Sequence, residues 1–135
     1  MFDIKSLAVK ETNDLHLRNA DDELLFDKDG KAISITLYGP GSKVYAKAQA
    51  ASQNRMIDKL KKKGKTDQTA EEKAQEQAEF LAACTVSFNN FAYSDAPGAE
   101  QFKAAYADQS IGFIAEQVGK YVNDWSLFTV GSVKN

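Results

Sequence analysis

The chain has one histidine, one cysteine, two prolines and no long apolar run in 135 residues. A single histidine, His16, excludes a two-histidine metal site and any relay of histidines, and every serine triad would have to share that one residue. Its setting in Asp14-Leu15-His16-Leu17-Arg18, where polar and apolar residues alternate, predicts a half-buried strand with His16 on the outer face. A single cysteine, Cys84, excludes an intramolecular disulfide, and its neighbours Ala82, Ala83, Thr85 and Val86 supply no base or cation to activate it. It reads as a buried helix thiol. No stretch approaches the roughly 18 apolar residues of a membrane span, and Met1-Phe2-Asp3-Ile4-Lys5 has neither the basic nor the apolar region of a signal peptide. The expectation is a cytoplasmic protein with no membrane partner and no cofactor.

Charge is also scarce in net terms. A formal charge of -2 supplies no general field for nucleic acid. Asp27-x-Asp29-Gly30 lacks the acidic side chains that a calcium loop places at its first and twelfth positions, here Leu25 and Thr36. Gly39-Pro40-Gly41-Ser42 lacks the Gly-Lys-Ser/Thr ending of a phosphate loop. The acidic groups at Asp21 to Glu23 and at Glu71 and Glu72 fall in a polar turn and at a helix start, where solvent and the helix dipole account for them. With these motifs gone, an enzyme is the least supported class.

What is present is an ordinary globular composition, 43% apolar and 27% charged, of a size that suits one domain. Leu15 and Leu17, then Leu24-Leu25-Phe26, then Ile33, Ile35 and Leu37 form three apolar runs, the last two separated by the Asp29-Gly30 turn pair. They predict a three-stranded antiparallel β-meander over about 12–38. Ser42 is a suitable N-cap for a helix from Lys43 to Lys63, closed by Gly64. Its apolar stripe, Val44, Ala48 and Ala51, then Met56, Ile57 and Leu60, is thin. Thr69 and Glu72 fit a capping box that opens a second helix, and Ala74, Ala78, Leu81, Thr85 and Phe88 carry its packing face to about Phe88. An antiparallel helix hairpin follows from the short connection.

A short helix from Ala99 to Tyr106 comes next. Asp108 or Ser110 then caps a last helix, in which Ile111, Ile114, Ala115, Val118, Tyr121, Val122 and Trp125 make a broad stripe suited to packing on the sheet. The expected fold is α+β: a small N-terminal antiparallel β-meander, an antiparallel helix hairpin and C-terminal helices. It forms a single domain over 1–135, with the helical part at about 43–125 and arms at 1–11 and 126–135.

The densest charge feature is Arg55, Lys59, Lys61, Lys62, Lys63 and Lys65, opposed only by Asp58. Cations at a helix C-terminus are stabilised by the dipole, so a solvated tip is the plain reading and a dock for an acidic partner the sharper one. No aromatic residues interleave to stack bases, which leaves nucleic acid the weakest of the three.

The order of these elements resembles a known family. Leu15-His16-Leu17-Arg18, Glu23-Leu24-Leu25, Asp27-Lys28-Asp29-Gly30 and Ile33-Ser34-Ile35-Thr36-Leu37-Tyr38-Gly39-Pro40-Gly41-Ser42-Lys43-Val44-Tyr45 resemble the N-terminal part of tail assembly chaperones of long-tailed bacteriophages. A lysine-rich helix end, a Glu-rich second helix, Leu81-Ala82-Ala83-Cys84-Thr85-Val86 and the stretch from Phe102 to Trp125-Ser126-Leu127-Phe128 are similar in the same order. The resemblance implies a protein of the infected host cytoplasm that binds the tape measure protein, keeps it soluble and promotes tail tube polymerisation. It also implies absence from the finished virion and a longer frameshifted form. Further partners under this reading are the tail tube protein and a second copy of the chain. Val44, Ala48 and Ala51, the tip lysines Lys59, Lys61, Lys62 and Lys63, and the aromatics Trp125 and Phe128 are the expected contact residues. A structural component of the tail and a small nucleic-acid-binding regulator are the alternatives.

Overall fold

The structure, a computed structural model, describes residues 1–63 and 68–130, without the side chain of Lys63. Seven regular elements appear among them: β1 (Thr12–His16), β2 (Ser34–Tyr38), α1 (Lys43–Lys63), α2 (Ala70–Ala83), β3 (Thr85–Asn89), α3 (Gly98–Ala107) and α4 (Gly112–Val122). The architecture is mixed α and β, with a three-stranded antiparallel sheet in the order β1-β2-β3.

Alternation places Leu15, Ile35 and Leu37 inward, and β1 and β2 pair from Thr12 opposite Tyr38 to His16 opposite Ser34. Beyond that pair the chain makes an excursion. The Leu25 amide donates to the Leu17 carbonyl and the Ile33 amide to the Leu25 carbonyl, so Leu24–Phe26 lies between the two arms. It does so through the isolated bridges Arg18–Leu24 and Phe26–Ala32, not as a strand. Both turns of the excursion are closed by short acceptors. Asn19 Oδ1 takes the Asp21 and Glu23 amides. Asp27 Oδ1 takes those of Asp29 and Lys31, with Gly30 at φ +78°.

The third strand of the sheet comes instead from Thr85–Asn89, which corrects two expectations. The meander over about 12–38 supplies only two strands, and the second helix stops at Ala83 rather than near Phe88. β-branched Thr85 and Val86 favour extended backbone. Thr85 Oγ1 bonds back to the Leu81 carbonyl at 2.8 Å and meets the Tyr106 hydroxyl at 2.7 Å, fixing the turn out of the helix. β3 then pairs antiparallel with β2, with an irregularity between Thr36 and Leu37. Across the outer sheet face runs a polar ladder: Thr36 Oγ1 donates to Asp14, and Asn89 Nδ2 donates to both Ser34 and Thr36.

Local signals set most helix ends as expected. Ser42 Oγ accepts the Tyr45 amide, and Thr69 and Glu72 form both bonds of the capping box. The Gly64 cap lies outside the described residues. Asp108 caps a short 3-10 turn, Gln109–Ile111, that leads into α4. Helix α4 lies on the sheet side of the core with Val118 and Val122 buried, its Tyr121 hydroxyl donating to the Asp14 carbonyl and Gln117 bonding both backbone groups of Arg18.

Of the arm expected at 126–135, residues 131–135 lie outside the described residues, and 126–130 do not form a free arm. A 3-10 turn, Trp125–Phe128, is held by Asn13 Nδ2 on the Leu127 carbonyl and by the Lys10 amide on that of Phe128, which seats the Phe128 ring in the core over Gly39. The N-terminal arm carries its own 3-10 turn, Ile4–Leu7, and leaves Phe2, Ile4 and Leu7 exposed.

Candidate docking surfaces

Helix α1 is about 30 Å long at 1.5 Å per residue, and its two sides differ in chemistry. Tyr45, Ala48, Ser52, Arg55 and Lys59, spaced by alternate steps of three and four, form its less exposed side, joined at the start by Val44. The Tyr45 ring meets Phe80 edge-on, and Ser52 Oγ and Arg55 both reach Glu76 on α2. Pairing of early residues in one helix with late residues in the other makes α1 and α2 antiparallel, as the sequence predicts.

The Arg55 contact is bidentate, with Nε and Nη2 at 2.7 and 2.8 Å from the two carboxylate oxygens. Arg55 also reaches Glu79, which pairs with Lys103 of α3 at 2.6 Å, so one chain of charges ties three helices. The Arg55 hydrogen bond holds the Glu76 carboxyl below its usual range, and Lys103 does the same for Glu79. Arg55 is therefore spent on the fold and is not part of a free basic tip.

Off that polar face, the distal half of α1 presents Met56, Ile57 and Leu60 at 45, 49 and 41% exposure. Lys61 and Lys62 stand exposed beside them and Lys59 is half-buried. Large aliphatic side chains gathered on one exposed helix surface mark a docking surface more often than scattered single ones do.

The expected contact residues divide accordingly. Ala51 and Trp125 are exposed, Val44 is half-buried, and Ala48 and Phe128 are buried. Ala48 faces α2 and Phe128 fills the core, so neither is available to a partner in the folded chain. The Lys63 side chain lies outside the described residues. Trp125 stands near Gly41 and Val9, at the end of the molecule that carries the apolar arm. Met56, Ile57 and Leu60 were visible in the sequence as stripe positions. What it could not supply was the polar pairing at Glu76 that turns the other side of the helix inward.

A second surface is an apolar groove of about 400 Å³ between the 17–33 excursion, the Phe91–Tyr93 segment and the start of α4. Leu25, Ile33, Phe91, Ile111, Phe113 and Ile114 are among its walls. Phe88, stacked on Phe91 and packed against Phe102, forms its aromatic end.

The single histidine and the single cysteine both have structural surroundings. His16 Nε2 lies 2.7 Å from the Leu25 carbonyl, with Phe26 edge-on to its ring. Burial pushes the Cys84 thiol up to about 12. Among the described residues, no group of three His, Cys, Asp or Glu side chains could hold a metal ion, and no helix is long and apolar enough to cross a membrane. Compared with models of protein families, with curated proteins and with solved structures, the chain matches none.

Proposed function

We propose that this chain is a tail assembly chaperone of a long-tailed bacteriophage. It is a non-enzymatic protein of the host cytoplasm that holds the tape measure protein soluble, promotes polymerisation of the tail tube around it and leaves before the virion is complete. The observation that carries the reading is the distal half of α1, where Met56, Ile57 and Leu60 stand exposed beside lysines on a helix fixed from behind by Glu76.

A tape measure is a long helical chain whose apolar stripes aggregate when bare. A rigid helix with an exposed aliphatic surface covers such a stripe reversibly, and the lysines set its register through rim charges. Exposed Trp125 is a second anchor of the kind that dominates interface energies. The order of sequence patterns along the whole chain supports the same reading.

Co-expression with a matching tape measure protein tests it. Wild type should keep that protein soluble and co-purify with it, and Ile57→Asp with Leu60→Asp should abolish both effects. Retention of the client by the double variant would refute the surface. A chain found in stoichiometric amounts in purified virions would favour a structural tail component instead.

A further inference from the structure

The apolar groove has no cationic or acidic side chain in its walls, but on each side a carboxylate lies one hydrogen bond beyond a wall residue and gives that lip an acidic group. On one lip, Asn19 donates to the Glu23 carboxylate at 3.2 Å. On the other, the Tyr93 hydroxyl donates to Asp108 at 2.7 Å, and hydrogen bonds from Ser110 and Tyr93 keep that carboxyl ionised. The adjoining hollow is lined by Arg18 and Lys120 against Asp22 and Glu116, and so adds no net charge. An occupant of the groove therefore needs an apolar surface flanked by cations.

The distal half of α1 has that composition: Met56, Ile57 and Leu60 with the exposed Lys61 and Lys62 on the same turns, and Asp58 the single acid. It cannot reach the groove of its own chain while the fold is intact. No α1 residue lines the groove, and the Arg55–Glu76 bidentate pair, with Ser52 on the same carboxylate, pins α1 to α2.

We propose that the α1 tip of one copy docks in the acidic-lipped apolar groove of a second copy. The two surfaces differ, so the contact is heterologous: the copy that gives its tip keeps its groove free, the copy that gives its groove keeps its tip free, and association can continue from both ends. Self-association needs no client. Where the client occupies the same tip, as the functional reading has it, client binding displaces the neighbouring copy, which keeps the aliphatic surface covered until it is used.

Sedimentation equilibrium of the full chain over a range of concentrations tests the contact. The tip variant Ile57→Asp/Leu60→Asp and the groove variant Phe113→Asp alter exposed or half-exposed positions, and Phe113 lies in the first turn of α4, where an acid suits the helix dipole. Wild type should associate with rising concentration and more weakly at high salt. Each variant alone should lower the association constant at least about tenfold. An equal mixture of the two should recover association but stop at a pair, because only one tip and one groove remain competent. Lys61→Glu with Lys62→Glu should weaken association, and Glu23→Lys in the partner copy should restore part of it.

A wild type that stays monomeric throughout, or a tip variant that associates as wild type does, would overturn the proposal. The groove variant should still retain the client. Loss of self-association with client binding intact thus separates this contact from the functional reading.

Discussion

Phe128 shows how one side chain changes meaning between sequence and structure. Beside Trp125 near the chain end it reads as a contact residue, but its ring is fully buried, edge-on to Tyr121. Phe128→Ala should therefore cost about 3–5 kcal/mol of stability, read by chemical denaturation, with client affinity unchanged below the new melting temperature. Gly39 is the other side of that contact. A Cβ there would lie 2.5 Å from the Phe128 ring, so Gly39→Ala should destabilise by roughly 1–3 kcal/mol. Trp125→Ala should do the reverse: little loss of stability and weaker client binding. Burial also raises the Cys84 thiol and the Tyr121 hydroxyl, each to about 12. Both groups hold their protons more tightly folded than unfolded. Their contribution is complete below the ordinary thiol range near 8.5 and is lost as pH rises toward about 12. Melting temperature should fall across that interval, and the thiol of the native protein should resist alkylation at neutral pH.

At the scale of elements, the docking of α1 on α2 depends on one half-buried carboxylate. Glu76 accepts from Ser52 and bidentately from Arg55, so Glu76→Ala should cost about 1–2 kcal/mol and speed amide exchange in α1. Because Arg55 lowers the Glu76 pKa, this stabilisation is present above the ordinary carboxylate range and is lost as pH falls below it. Which elements the sequence revealed follows from the range of the forces that make them. The Asp27 turn with Gly30, the Thr69–Glu72 capping box and the Ser42 cap are fixed by residues within four positions of each other, and all three stand as read. Strand β3 is different. Ala74, Ala78, Leu81, Thr85 and Phe88 continue a helical spacing through Thr85, and the decisive partners, Tyr106 and the β2 strand, lie far away in sequence. The run of Thr85, Val86 and Phe88 was the one local signal that could have found it. On α1 the apolar stripe was legible. That the helix would turn its polar side inward depended on Glu76, whose role no local pattern announces.

At the scale of the whole molecule, two complementary surfaces sit on a scaffold with little else on offer. One is a helix tip, aliphatic and basic; the other is an apolar groove with acidic lips. Asp27, Glu72 and Asp108 are occupied with turns and caps, and Glu76, Glu79 and Lys103 with the Arg55 network. The account rests on the distal half of α1 being where a helical client is held, and hydrogen exchange on the chain with and without the proposed tape measure partner tests that most directly. Amides at 53–62 should exchange markedly more slowly in the complex, while the buried sheet changes little. Unchanged exchange over 53–62, with protection arising on another face, would contradict it.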